Sequence, residues 1–128
     1  MPGDRIELTT PIGRAWEPVI RMVLGGIADR LDLGFDELDD LQLAVERLLA
    51  EGDPQDPVTL SFELVERGVR TRVGPLRDSA IASALQGADP RPGELTLPRI
   101  LQTVVDSYGV EEVADGHLVV RLEKAVRG

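Results

Sequence analysis

Between Arg5 and Thr10 polar and apolar residues alternate, with Ile6 and Leu8 on one side and Arg5, Glu7 and Thr9 on the other. A period of two predicts a half-buried strand, closed by Pro11 and Gly13. From Ala15 to Leu31 the period lengthens. Val19, Val23, Ile27 and Leu31 recur four apart with Ile20 and Leu24 beside them, which predicts one apolar stripe along a helix. Pro18 then belongs in the first turn, where its missing N–H costs nothing. Gly25 and Gly26 would each lose about 1 kcal/mol against alanine in such a helix, so they predict close packing or a weak point.

Asp36 is the predicted N-cap of a second helix, with Glu37, Asp39 and Asp40 complementing the positive end of its dipole. Leu38, Leu41, Val45 and Leu48 mark its buried face, and Glu51 to Pro57 is a loop. Strands follow at Val58 to Glu66 and Val69 to Val73, joined tightly at Arg67-Gly68, and Gly74-Pro75 is read as a breaker. Asp78 to Leu85 predicts a short helix, Gly87 to Gly93 an irregular segment, and Thr96 the cap of a helix reaching about Tyr108. Val110 to Val113 and His117 to Glu123 predict a closing hairpin turned at Asp115-Gly116. The order β-α-α-β-β-α-α-β-β predicts an α+β fold: a two-layer sandwich with a mostly antiparallel sheet and helices on one face. All 128 residues are read as one domain.

Charge and composition narrow the chemistry. There is no cysteine and one histidine, which removes disulfides, thiolate nucleophiles and histidine-rich metal sites. The net charge of −9 argues against nucleic acid and anionic membranes, because a binder neutralises phosphates with clustered Lys and Arg. Most of the excess lies between Asp29 and Asp56, where ten acidic residues face only Arg30 and Arg47. No apolar run approaches the roughly 20 residues of a membrane span, and Met1 to Asp4 lack a signal pattern. The expected compartment is the cytoplasm. His117, with no orienting partner in the sequence, reads as a surface residue. The acidic run Asp36 to Asp40 reads as capping, with steering of a basic partner as the alternative. Trp16, the only tryptophan, reads as a contact anchor or a core residue.

One segment carries a family resemblance. Arg21 is followed fifteen positions on by Asp36-Glu37-Leu38-Asp39-Asp40-Leu41-Gln42-Leu43-Ala44-Val45-Glu46-Arg47-Leu48-Leu49-Ala50-Glu51. This resembles the pattern of the anti-sigma-factor serine kinases, an arginine-bearing helix followed by Asp-Glu-Leu-x-x-(Leu/Ile)-x-x-Ala-Val-x-Glu-Ala-x-x-Asn. They are bacterial members of the histidine-kinase-like ATPase superfamily. The resemblance implies the Bergerat fold, with a mixed sheet. It also implies a sigma factor or a STAS-type anti-sigma antagonist as partner. Members of the family often dimerise, so a homodimer is expected.

Where active members carry a base and a magnesium-binding asparagine, this chain has Arg47 and Glu51. Arginine cannot accept a proton, and Glu51 adds negative charge beside a triphosphate. The adenine box Asp-x-Gly-x-Gly is replaced by Arg72-Val73-Gly74-Pro75-Leu76, and the glycine-rich phosphate turn by Leu95-Thr96-Leu97-Pro98-Arg99. Glu46 does not rescue the base position, since one residue rotates a helical side chain by about 100° and leaves it on the surface. Arg47 and Arg72 are expected in salt bridges with Glu46, Glu51 or Glu63. The resulting expectation is a non-catalytic, anti-sigma-like regulatory module with no cofactor or metal. Arg21 stands at the family's partner contact, pointing to solvent, with Arg14, Arg30 and Trp16 as neighbours on the same segment. The rival is an ATP-dependent serine kinase with a rebuilt nucleotide pocket. A domain with no sigma-related role is the third reading.

Overall fold

The computed structural model describes residues 4–31, 33–77, 79, 81–82 and 96–125. Its elements are β1 (Arg5–Thr10), a 3-10 turn (Arg14–Trp16), α1 (Glu17–Leu31), α2 (Phe35–Leu49), β2 (Val58–Val65), β3 (Gly68–Arg77), α3 (Leu97–Val104), β4 (Ser107–Ala114) and β5 (His117–Ala125). Ser79, Ile81 and Ala82 are helical, inside the short helix expected from Asp78. The remainder of that helix and the irregular segment Gly87 to Gly93 lie outside the described residues.

The strands form one sheet in the order β1-β2-β3-β5-β4. Every pairing is antiparallel, so the described sheet is not the mixed sheet that the resemblance implied. Tight turns explain this. Only Glu66 and Arg67 separate β2 from β3, and the β4–β5 turn holds Asp115 and Gly116 at φ 54° and 75°. Positive φ at both central positions is what a two-residue hairpin with the native twist requires.

Alternation along the strands divides the sheet into two unlike faces. Leu60, Phe62 and Leu64 of β2, Val69 and Val73 of β3, and Leu118, Val120 and Leu122 of β5 join Ile20, Leu24, Ile27, Leu41, Val45, Leu48 and Leu101 from the helices in one buried core. The opposite face is charged. Arg5, Glu63, Arg70 and Glu123 stand in register across β1, β2, β3 and β5, alternating in sign. Arg70 bonds Glu63 at 2.8 Å.

Four sequence expectations change. On α1 the buried residues are Ile20, Leu24, Ile27 and Ala28, whereas Val19 is 38% exposed. Two i+4 ladders overlap in this sequence, and packing selects the one shifted by a residue. Gly34, rather than Asp36, is the N-cap of α2, and its N–H donates to the Glu37 carboxylate. Gly74-Pro75 does not end β3. Val73 pairs with Val120 and Leu76 with Leu118, so two residues oppose Val119 in a bulge. A Cβ on Gly74 would lie 2.9 Å from the Leu118 carbonyl oxygen, which is why glycine serves there. Finally, α3 stops at Val104 because Val105 is extended, and Tyr108 belongs to β4 opposite Leu122.

The close of α3 is tied to the sheet by a buried cation. Lys124 is 6% exposed, and its Nζ donates to the Val104 carbonyl at 2.8 Å and to Asp40 Oδ2 at 3.2 Å. One ammonium therefore joins β5, α2 and the negative end of α3. Lys124→Met keeps the stem and removes the charge, leaving the Val104 carbonyl unsatisfied. A loss of about 1–3 kcal/mol in urea unfolding is expected. Arg77→Ala, whose pairs with Asp53 and Asp56 are exposed, should change stability by no more than about 1 kcal/mol.

Candidate functional site

The two helices brought together by the resemblance meet along a seam. The shifted stripe of α1 places Arg21 one residue from Ile20 and three from Leu24, on the flank of the buried face. There its Nε and Nη2 both reach Glu46 Oε1 at 3.0 Å. The Arg21 side chain is 55% exposed, so its guanidinium faces α2 rather than projecting freely into solvent. Glu46 is likewise not a freely solvated residue but the anion of this interhelical pair.

Below the pair a cleft of about 190 Å³ is lined by Gly13, Arg14, Glu17, Ile20, Glu46 and Leu49. The 3-10 turn that forms its lip carries Arg14 and Trp16, and Trp16 is 43% exposed. Val19 and Met22 continue the exposed apolar surface along α1. Trp16 is therefore a surface residue rather than part of the core. Arg14, Trp16 and Arg21 share this end of the molecule with Glu17 and Glu46.

Arg47 points elsewhere. It follows Glu46 by one residue and Asp40 by seven, so it lies on the side of α2 where Asp40 meets Lys124 and the end of α3. Its Nε is buried without a hydrogen-bond partner, and no ion pair of Arg47 is found among the described residues, contrary to the expected salt bridge. Glu51 lies in the turn just past α2, half-buried. Leu76 is 2% exposed and belongs to the core. Pro98 occupies the first turn of α3 after the Thr96 cap, a position that tolerates a missing N–H.

Arg72 is separated from all of these. It lies on the face of the sheet opposite the described helices, across from Ser61 and Arg121, and its Nε donates to Glu111 Oε1 at 2.9 Å. Its partner is thus Glu111 rather than Glu46, Glu51 or Glu63; Glu63 pairs with Arg70. Nothing in the sequence of Glu111 announced this role, because it depends on the register of β4 against β5 and of β5 against β3. His117 sits at the start of β5 with Nδ1 3.0 Å from the Asp115 carbonyl oxygen, a contact local to the turn. Among the described residues no three Asp, Glu or His side chains converge to hold a metal ion.

No family model matches the chain. The chain is similar to the serine-protein kinase RsbW of Bacillus licheniformis, with 25% identity over 121 residues that cover 88% of this chain and 76% of that protein. No described helix is long and apolar enough to cross a membrane.

The seam and the half-buried Arg47 make separable predictions. A double-mutant cycle on Arg21→Ala and Glu46→Ala, read by urea unfolding, should give a coupling of about 0.2–1 kcal/mol, as a partly exposed ion pair warrants. Arg47→Met removes a buried donor that lacks a partner and keeps much of the stem. It should leave stability unchanged or raise it by up to about 1 kcal/mol.

Proposed function

We propose that this chain is an anti-sigma-factor-type regulator that acts by protein–protein contact rather than by phosphoryl transfer, built on a degenerate Bergerat fold. The coarse reading rests on the similarity to RsbW. The non-catalytic part is supported by how the residues at the family's nucleotide positions are used. Leu76 fills the core, Arg47 holds a buried Nε without a hydrogen-bond partner, and Arg72 stands on the face of the sheet away from the described helices. Phosphoryl transfer depends on positioning and charge stabilisation by every part of the site. A cation at the base position and a leucine in the adenine box supply neither.

The partner in this reading is a sigma factor or a STAS-type antagonist, held at the edge formed by Arg21, Arg14 and Trp16. A protein contact needs an aromatic or arginine anchor that is exposed before binding, and this edge offers both. Away from this edge, the acidic remainder of the chain attracts basic groups of the partner. The module works in the cytoplasm without cofactor or metal, and a homodimer fits the family reading. The kinase alternative draws its support from the similar protein, a serine-protein kinase.

Two measurements separate these readings. Ligand at a hundred times its Kd stabilises a native state by about 2.7 kcal/mol, which in a domain of this size raises Tm by several degrees. Millimolar Mg-ATP should leave Tm unchanged to within about 1 °C; a rise of several degrees favours the kinase. Arg21→Ala should weaken capture of a sigma factor by at least about tenfold while lowering stability by less than about 1 kcal/mol. Undiminished capture would remove Arg21 from the contact.

A further inference from the structure

Glu46 occupies part of Arg21 before any partner arrives. The Arg21 Nε and Nη2 both reach the same Glu46 oxygen, Oε1, at 3.0 Å. These two nitrogens form the side edge of the guanidinium, one of the forks that receive a carboxylate through two parallel bonds. An arriving acidic side chain has two routes. It docks on the outer edge, between Nη1 and Nη2, with the Glu46 charge close behind, or it displaces Glu46 from the side edge.

The charges around the pair add to this restraint. Glu46 is 29% exposed and lines the cleft of about 190 Å³ together with Glu17 and Arg14. Glu17 precedes Arg21 by one helical turn, so it stands on the same side of α1. Neither Glu17 nor Arg14 has an ion pair among the described residues. On the other side, Gly25 follows Arg21 by one turn, and a Cβ built on it would meet nothing within 4 Å. Arg21 is approachable from there. The close packing expected at Gly25 and Gly26 is absent at both positions.

Magnitudes decide the sign of the Glu46 effect. By holding Arg21 in one orientation, Glu46 favours binding by no more than the pair itself is worth. For a partly exposed pair that is a factor of about five at most. Like charges about 6–7 Å apart weaken binding about threefold in water and by tens of times at the effective dielectric of a protein surface. Displacing Glu46 instead forfeits the pair. Repulsion outweighs orientation in this half-buried seam.

We infer that Glu46 is an affinity- and specificity-determining residue of the binding edge: it competes with an aspartate or glutamate of the partner for Arg21. The inference rests on the reading of Arg21 as a partner contact. An isolated acidic group on another protein is refused, and a partner that also engages Trp16 overcomes the restraint. Specificity of this kind comes from an unfavourable element built against the wrong partner.

The test is calorimetric titration of the full chain with a sigma factor, for the parent, Glu46→Gln, Arg21→Ala and the double variant. Glutamine keeps the shape and an oxygen acceptor for Arg21 while removing the charge. Glu46→Gln should tighten binding about threefold or more at about 50 mM salt, and the gain should shrink at about 0.5 M salt. In the Arg21→Ala background it should vanish. If Arg21→Ala weakens binding while Glu46→Gln leaves it unchanged or weakens it, the inference is overturned and the contact stands. An equal gain in both backgrounds also overturns it, because Glu46 would then repel the partner without acting through Arg21. Undiminished binding by Arg21→Ala, or a parent chain that binds no sigma factor, removes the underlying reading and the inference with it.

Discussion

Pairing of β3 with β5 is the constraint on which the rest of the molecule hangs. These strands come from two hairpins separated by the 29 residues from 78 to 106, and their register, from Gly68 opposite Ala125 to Arg77 opposite His117, joins the hairpins into one sheet. It sets Val73 beside Val120 and Leu76 beside Leu118, and so creates the apolar floor on which α1, α2 and α3 lie. The same register sets Arg72 against Arg121 on the opposite face, with Glu111 bonded to Arg72. Lys124, at the end of the pairing, reaches through the core layer to fix α2 and the end of α3. Burial of the floor supplies most of the stabilisation, and the lysine decides how the helices sit on it.

Local patterns made much of this legible. The Asp115-Gly116 turn and the apolar positions Leu41, Val45 and Leu48 appear as the sequence predicts, and Arg5 to Thr10 forms the expected strand, although Ile6 is exposed, Leu8 is half-buried and Thr10 is the residue it buries. Failures occurred where two local solutions were close in energy and tertiary contact chose between them. Val19 and Ile20 are equally apolar, and only the packing of α1 against α2 and the sheet buries Ile20. Gly74-Pro75 carries the chemistry of a breaker, yet β5 tolerates it as a bulge because the glycine lets the Leu118 carbonyl approach. Asp36 is a good capping residue placed two positions late, since Glu37 can reach back to Gly34.

The site was less legible than the fold, for a related reason. Side-chain partners across elements depend on register and on helix rotation, neither of which periodicity determines. A rotation of α1 by one residue moves Arg21 from open solvent to Glu46. Consecutive residues on α2 serve different neighbours: Glu46 turns to α1, while Arg47 turns to the opposite flank with a buried Nε. The acidic balance read from composition holds for the chain as a whole, but α1 and the turn before it carry Arg14, Arg21 and Arg30 beside exposed Trp16, Val19 and Met22. Recognition surfaces combine such anchors with steering by the surrounding field.

In the proposed function, protein contact rather than nucleotide carries the regulation. Its most direct test is the affinity of the purified chain for a captured sigma factor, measured by calorimetry in nucleotide-free buffer and again with saturating Mg-ATP. The account predicts the same Kd in both conditions and no phosphate transferred to any protein present. A Kd that tightens or weakens severalfold with Mg-ATP would contradict it, because by linkage the nucleotide must then bind this fold.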